Sequence, residues 1–286
     1  MAYHPGSEAL FQGDGRRSTF MRTAPRRMWG PPPAELALSS ADVHVWRAPL
    51  DQPASRILQL ANVISADERA RAERFYFERD RKHFIVGRGL LRTILGCYLG
   101  IESNRLEFWS GSHGKPALAE TSARGTLRFN LSHSQGLVLY AVTRDREIGI
   151  DLERIRPIAE AEQIAERFFS ARENALFRAL PPSQKLEAFF NCWTRKEAYI
   201  KAIGDGLARP LDRFDVSLVP GEPARLLRVE GDSREACRWC LQALTPAAGY
   251  AAALAVEGRG WHLACWEWVE NLSEAREEPT STSEAR

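Results

Sequence analysis

Leu186, Phe189, Phe190, Trp193, Ile200 and Ile203 recur at the spacing of one helical face. The stripe predicts a long helix over about Gln184–Ala202, closed sharply at Gly204-Asp205-Gly206. The chain around it offers strands. Ile148, Ile150 and Leu152 alternate as one buried strand face, leaving Asp151 and Glu153 on the other. Further strands are expected at about Val43–Trp46, Leu137–Val142, Phe214–Leu218, Ala236–Thr245, Gly249–Val256 and Trp261–Val269. Ser65 with Glu68 three residues on reads as a helix start. Other helices are predicted near Phe84–Leu99, Ile158–Phe168 and Ala171–Leu180. Helices interspersed with antiparallel strands point to an α+β fold.

The 286 residues suffice for one large domain or two modest ones. Lys and Arg number 39 against 37 Asp and Glu, a net +2, which gives no general attraction to nucleic acid or membrane. No apolar run approaches the roughly 18–20 residues of a membrane span, and no signal peptide is evident. The five cysteines are odd in number and sparse, which suits a reducing cytoplasm. Residues 1–35, with Pro31-Pro32-Pro33, and residues 271–286 are expected to be disordered tails.

The polar residues carry the chemistry. Asp151 and Glu153, two apart on one strand face, repel each other unless a cation or water stands between them, and Gly149 is expected to leave open space beside them. A solvated strand edge is the plainer alternative. Glu197 and Lys201 are four apart and share a helix face, as a surface ion pair would. Together they form an oxygen-only set that suits Mg²⁺, with a lysine placed for a phosphate oxygen. Ser132 and His133 follow a short strand, Leu127 to Leu131; a packed histidine is the alternative there. Lys115 lies in the turn Gly114-Lys115-Pro116, and Arg81, Lys82 and Arg88 bracket a helix start. Gly87-Arg88-Gly89 lacks the third glycine and the preceding strand of a dinucleotide fingerprint. Cys237 and Cys240 lack the partners of a zinc site.

In order and spacing these segments are specific. Gly114-Lys115-Pro116, Phe129-Asn130-Leu131-Ser132-His133-Ser134, Gly149-Ile150-Asp151-Leu152-Glu153, Phe168-Phe169-Ser170 with Glu173, and Trp193 to Lys201 with Gly204 and Gly206 resemble the signature series of the two-lobed, Sfp-type 4′-phosphopantetheinyl transferases. The resemblance covers about residues 40–270. It implies a pseudo-twofold pair of similar α+β lobes, here expected at 36–150 and 151–270, acting as a monomer. It also implies transfer of the 4′-phosphopantetheine of coenzyme A to a serine of apo acyl or peptidyl carrier proteins. By the same resemblance Asp151 and Glu197 would ligate Mg²⁺, with Glu153 as a third ligand or holding a bound water. Lys201 and Lys115 would meet the phosphates. Ser132 and His133 would hold the pyrophosphate and 3′-phosphate, with Arg81, Arg88 and Arg71 adding charge around the nucleotide. Glu197, or a water acting for it, would be the base. A non-catalytic coenzyme A-binding protein would need no acidic trio. A nucleic-acid reading rests only on Arg16, Arg17, Arg22, Arg26 and Arg27 in the N-terminal segment.

Overall fold

The computed structural model describes residues 28–110, 115–119, 127–204 and 209–269. In chain order the elements are β1 (Trp29–Gly30), β2 (Asp42–Pro49), α1 (Ala54–Val63), α2 (Ala66–Ala72), α3 (Glu78–Leu99), β3 (Phe108–Ser110), β4 (Pro116–Leu118), β5 (Leu127–Ser134) and β6 (Leu137–Arg144). Then follow β7 (Ile148–Arg154), α4 (Ala161–Phe168), α5 (Ala171–Ala179), α6 (Pro182–Ile203), β8 (Phe214–Val216), β9 (Leu226–Val229), α7 (Glu235–Arg238), β10 (Trp239–Leu244), β11 (Tyr250–Glu257) and β12 (His262–Glu267).

The plan runs twice, which bears out the α+β pair of similar lobes. A strand (β2, then β7) leads into three helices, a short two-stranded piece and a hairpin (β5–β6, then β10–β11). In each copy the lead strand pairs antiparallel with the second hairpin strand: β2 with β6, and β7 with β11. α3 and α6 both have 22 residues and both end on a left-handed glycine, Gly100 at φ 66° and Gly204 at φ 76°. Glycine takes this conformation at no steric cost. α2 and α5 both start with a reciprocal capping box, Ser65 with Glu68 and Ser170 with Glu173.

Each boxed glutamate then pairs with a buried cation from its lobe's long helix. Glu68 meets Arg92 at 2.7 Å, and Glu173 meets Lys196 at 2.8 Å. Arg92 also donates to the carbonyls of Ser103 and Leu106, and Lys196 to those of Leu211 and Phe214. The surplus hydrogen bonds satisfy cations that would otherwise be costly to bury.

Three apolar clusters stack through the molecule. α3 packs Val86, Leu90, Leu91 and Ile94 on the Val138, Tyr140 and Val142 face of β6. The opposite face, Val43, Val45, Leu139 and Ala141, meets Ile148, Ile150 and Leu152 of β7 and Leu254 and Val256 of β11. The outer face of β11, Ala251, Ala253 and Ala255, is covered by Phe190, Ala198 and Ala202 of α6. The order is therefore helix, sheet, sheet, helix, and the middle cluster belongs to both lobes.

Some expectations change. Trp29 is buried, and β1 pairs parallel with β12, so part of the span 1–35 expected to be a tail belongs to the folded structure. Residues 1–27 and 270–286 lie outside the described residues. The boundary expected at 150/151 falls inside β7, which pairs along its length with β11. β12, from the far end of the chain, pairs with β2 in the first lobe's sheet. α3 starts at Glu78 rather than Phe84, since Glu78 and Asp80 favour a helix N-terminus. α1 is an addition to the expected elements, although Ile57, Leu60 and Ala61 stand at helical spacing and Ile57 and Leu60 pack into the first lobe's core. Residues 235–238 form a helical turn instead of the start of a strand.

Candidate active site

Gly149 decides where the site forms. A Cβ placed on it would lie 2.1 Å from the Ala198 carbonyl oxygen and 2.3 Å from the Ala202 nitrogen. The backbone of α6 therefore rests directly on β7 at this point, and the space expected beside the two acids is filled by the helix. That contact places Glu197 and Lys201 of α6 beside Asp151, two residues along β7.

Lys201 does not pair with Glu197 as a surface couple. Its Nζ is 2.6 Å from Asp151 Oδ1 and donates to Ser132 Oγ at 3.1 Å. Ser132 Oγ also donates to Asp151 Oδ1 at 3.0 Å. Asp151 is buried, and its Oδ2 has no hydrogen-bond partner among the described residues. Burial, then the charge of Asp151, raises the pKa of both Glu153 and Glu197. Three carboxylates thus face one lysine. Among the described residues no three acids, histidines or cysteines are drawn tightly enough to form a finished metal cage. An orphaned buried oxygen, surplus negative charge and an oxygen-only donor set nevertheless fit a hard divalent ion, which keeps waters and shares substrate oxygens.

These groups line one wall of a cleft of about 800 Å³. The opposite wall, from α2, α3 and the turn between them, presents Arg71, Arg79, His83 and Arg88 with Phe75 and Phe84. Arg88 is held over the Phe84 and Phe108 rings and lies 3.7 Å from Glu68. Its Nη1 is buried with no hydrogen-bond partner among the described residues. A buried guanidinium donor without an acceptor is costly unless a ligand oxygen meets it. His83 Nε2 is 2.7 Å from Asp51 Oδ1. His133 stands at the rim, with its pKa pushed down by desolvation, then by the charges of Lys201 and His83.

Of the residues expected here, the cleft brings together Ser132, His133, Asp151, Glu153, Glu197, Lys201, Arg88 and Arg71. Two of the expected residues stand outside the cleft lining in this structure. Lys115 braces the fold instead of facing the cleft. Its Nζ donates to the carbonyls of Ile148 and Ala202, both at 3.1 Å, and lies 3.4 Å from Glu147. It ties the end of α6 to the start of β7, because a buried ammonium takes the carbonyls within its reach. Arg81 is exposed and outside the cleft lining, one turn nearer the helix start than Phe84 and two than Arg88, which share its side of α3 and do line the cleft. The motif residues Gly114 and Gly206 lie outside the described residues. Sequence reasoning misses His83 and Arg79. Only the phase of α3 points to them, and a helix start at Phe84 leaves both outside the helix.

Comparison with known proteins identifies the family. A family profile described as "4'-phosphopantetheinyl transferase superfamily" matches residues 147–255, and one described as "4'-phosphopantetheinyl transferase, N-terminal" matches 48–144. The chain is 49% identical over 240 residues to the 4′-phosphopantetheinyl transferase HetI of Nostoc sp., covering 84% of this chain and 98% of that protein. It is 38% identical over 172 residues to 4′-phosphopantetheinyl transferase psf-1 of Bacillus pumilus, covering 59% and 71%. It is 33% identical over 155 residues to 4′-phosphopantetheinyl transferase Sfp of Bacillus subtilis, covering 54% and 66%. By profile and by relatives, the chain belongs to the 4′-phosphopantetheinyl transferase family.

Proposed function

We propose that this protein moves 4′-phosphopantetheine from coenzyme A to the serine hydroxyl of an apo acyl or peptidyl carrier protein, releasing 3′,5′-adenosine bisphosphate. One observation carries the reading: a single cleft has an acidic wall from β7 and α6 and a basic wall from α2 and α3. A nucleotide pyrophosphate needs both, since its own charge meets the basic wall while the acids take a cation and a proton.

Arg71, Arg79, His83, Arg88 and His133 receive the nucleotide phosphates, with the open donor of Arg88 as their most buried contact. Asp151, Glu197 and Glu153 would hold Mg²⁺, which when bound would neutralise charge on the pyrophosphate. Lys201 gives up its bond to Asp151 and turns to a phosphate oxygen, while Ser132 keeps Asp151 in place. The carrier serine oxygen forms a bond to the β-phosphorus as the bond to the bridging oxygen breaks. The serine proton passes to Glu197, directly or through a water. Trp193, stacked on Phe189 at 6.1 Å, lines the cleft beside Glu197 and limits water there. The protein works as a single chain, since both lobes lie in one polypeptide, and its compartment is the cytoplasm. Among the described residues no helix is long and apolar enough to cross a membrane.

The test is direct. The protein is incubated with coenzyme A, Mg²⁺ and a panel of apo carrier proteins, and the carriers are weighed. A gain of about one phosphopantetheine, lost in Asp151→Ala and Glu197→Ala variants that still fold, is the expected result. No gain on any carrier would overturn the reading.

A further inference from the structure

β5 and β7 lie side by side where the lobes meet, yet they belong to different sheets and share no backbone ladder. Side chains of β5 do that work. Asn130 Oδ1 accepts from the Ile150 N–H at 2.9 Å, Ser132 Oγ from Leu152 at 3.2 Å, and Ser134 Oγ from Arg154 at 3.1 Å. The partner is always 20 residues on. Each rung thus reaches a backbone N–H of β7, and the period of two keeps all three on one side of β5.

The residue chosen for each rung follows what stands just before its partner on β7. Beside the Asn130 rung that residue is Gly149, which has no side chain, and an amide acceptor suffices. Beside the other two rungs stand Asp151 and Glu153, and there the rung is a serine. A hydroxyl can accept from the backbone and still donate its one proton. Ser132 donates it to Asp151 Oδ1 at 3.0 Å, and Ser134 donates it to Glu153 Oε2 at 3.1 Å. The hydroxyls stand where the acids stand.

We propose that Ser134 is the positioning residue for Glu153, as Ser132 is for Asp151, and that through it the β5 edge of the first lobe aims the second lobe's acid into the cleft. This rests on the reading of Asp151, Glu153 and Glu197 as a divalent-cation site. Without a donor, Glu153 has three side-chain torsions free and the like charge of Asp151 beside it, and it turns outward to water. A hydroxyl locked by the Arg154 N–H removes that freedom. Hydrogen-bond partners behind a metal ligand change metal affinity by about 10- to 100-fold.

The experiment uses the full chain and Mn²⁺ as the probe, with calorimetry for affinity and a thermal melt for folding. Ser134→Ala should bind Mn²⁺ about tenfold more weakly than wild type. Ser134→Thr, which keeps the hydroxyl, should restore binding to within about twofold of wild type. In a Glu153→Gln background Ser134→Ala should cost nothing further. A Ser134→Ala protein that melts lower yet binds Mn²⁺ like wild type would show a seam hydrogen bond only, and the proposal would fall. A full additional loss in the Glu153→Gln background would overturn it too. Should Ser134→Ala not fold, the Thr variant decides: it must bind Mn²⁺ like wild type, and a tenfold loss there refutes the positioning role. Wild type that binds no Mn²⁺ would overturn the cation site itself, and this inference with it. Wild type that binds while Ser134→Ala is unaffected overturns this inference alone.

Discussion

Lys201 shows how little a residue's spacing says about its partner. Four residues from Glu197, it could have been an exposed helix pair contributing a few tenths of a kcal/mol. It lies instead against Asp151, whose side chain is 5% exposed, while its own is 29% exposed. Removing the ammonium leaves a buried carboxylate with only Ser132 for company. Lys201→Met should therefore cost about 1–3 kcal/mol, less than a fully buried pair because the lysine is partly wet. Millimolar Mg²⁺ should return most of that loss in a melt, by binding the folded state alone. Loss without recovery would mean that no cation can replace the lysine there. His44 gives a different residue-scale prediction. It is buried against Tyr98, with Nδ1 2.7 Å from the hydroxyl, and burial lowers its pKa from 6.5 despite the opposing charge of Asp42. The unfolded chain then takes up a proton below pH 6.5 that the folded one refuses. Stability falls as pH drops through that value, by at most about 1.4 kcal/mol per pH unit for one group, and above it His44 contributes nothing. Melts at several pH values should show a shallower acid loss for His44→Asn than for wild type; equal slopes would refute it.

Elements explain what the sequence makes legible and what it hides. α6 is legible because its stripe is long and ends at a glycine, and β7 because its apolar residues alternate without interruption. β5 reads from sequence as ending at Leu131, with Ser132 and His133 following it, yet it runs on to Ser134. The apolar alternation of Leu127, Phe129 and Leu131 stops there, and the last three residues continue the strand with polar side chains that bind the backbone of β7. The site acids and Lys201 are identifiable from type and spacing. The bracing of Lys115 is not, because the carbonyls it binds come from elements far apart in the chain. Gly149 reads as a gap and is a contact. Gly149→Ala brings its new Cβ against backbone atoms of Ala198 and Ala202, which cannot turn aside. The expected loss is about 3 kcal/mol or more, at or beyond the usual range for overpacking, with transfer lost as well because α6 carries Glu197 and Lys201. Gly87→Ala is the control: its Cβ meets only Leu50 Cδ2, at 3.7 Å, so it should melt at or slightly above wild type. Denaturant midpoints for the pair would settle this, and equal midpoints would refute the close approach of α6 to β7.

At the scale of the whole molecule, two copies of one plan make one site. Moving back by 182 − 78 = 104 residues takes Glu197 to Thr93 and Lys201 to Cys97 on α3. The strand registers take Asp151, opposite Ala253, to Trp46, opposite Tyr140. The first lobe kept its buried cation, Arg92 for Lys196, and has none of the three charged site residues. The lead strands diverge as well. The edge of β7 is left to the side chains of β5, while that of β2 is closed by β12, paired in register from His262 with Asp42 to Glu267 with Arg47. The lobes are therefore not independent. Their shared cluster includes Val45, Leu139, Ile150, Leu152 and Leu254, each at 0% exposure, and separating the sheets would expose all of them. Buried apolar surface at about 25 cal/mol per Å² makes that separation costly compared with a domain's total stability. The first lobe's sheet, moreover, cannot be completed without β12 from the far end of the chain. The chain should unfold in one cooperative step, with calorimetric and van't Hoff enthalpies equal within error. A chain ending at residue 258, just before β12, should lose the first lobe's protection in hydrogen exchange as well as stability, although nothing in residues 42–144 has been altered. Two resolved transitions in the intact chain, or a truncated chain whose first lobe stays protected, would show that the lobes stand alone.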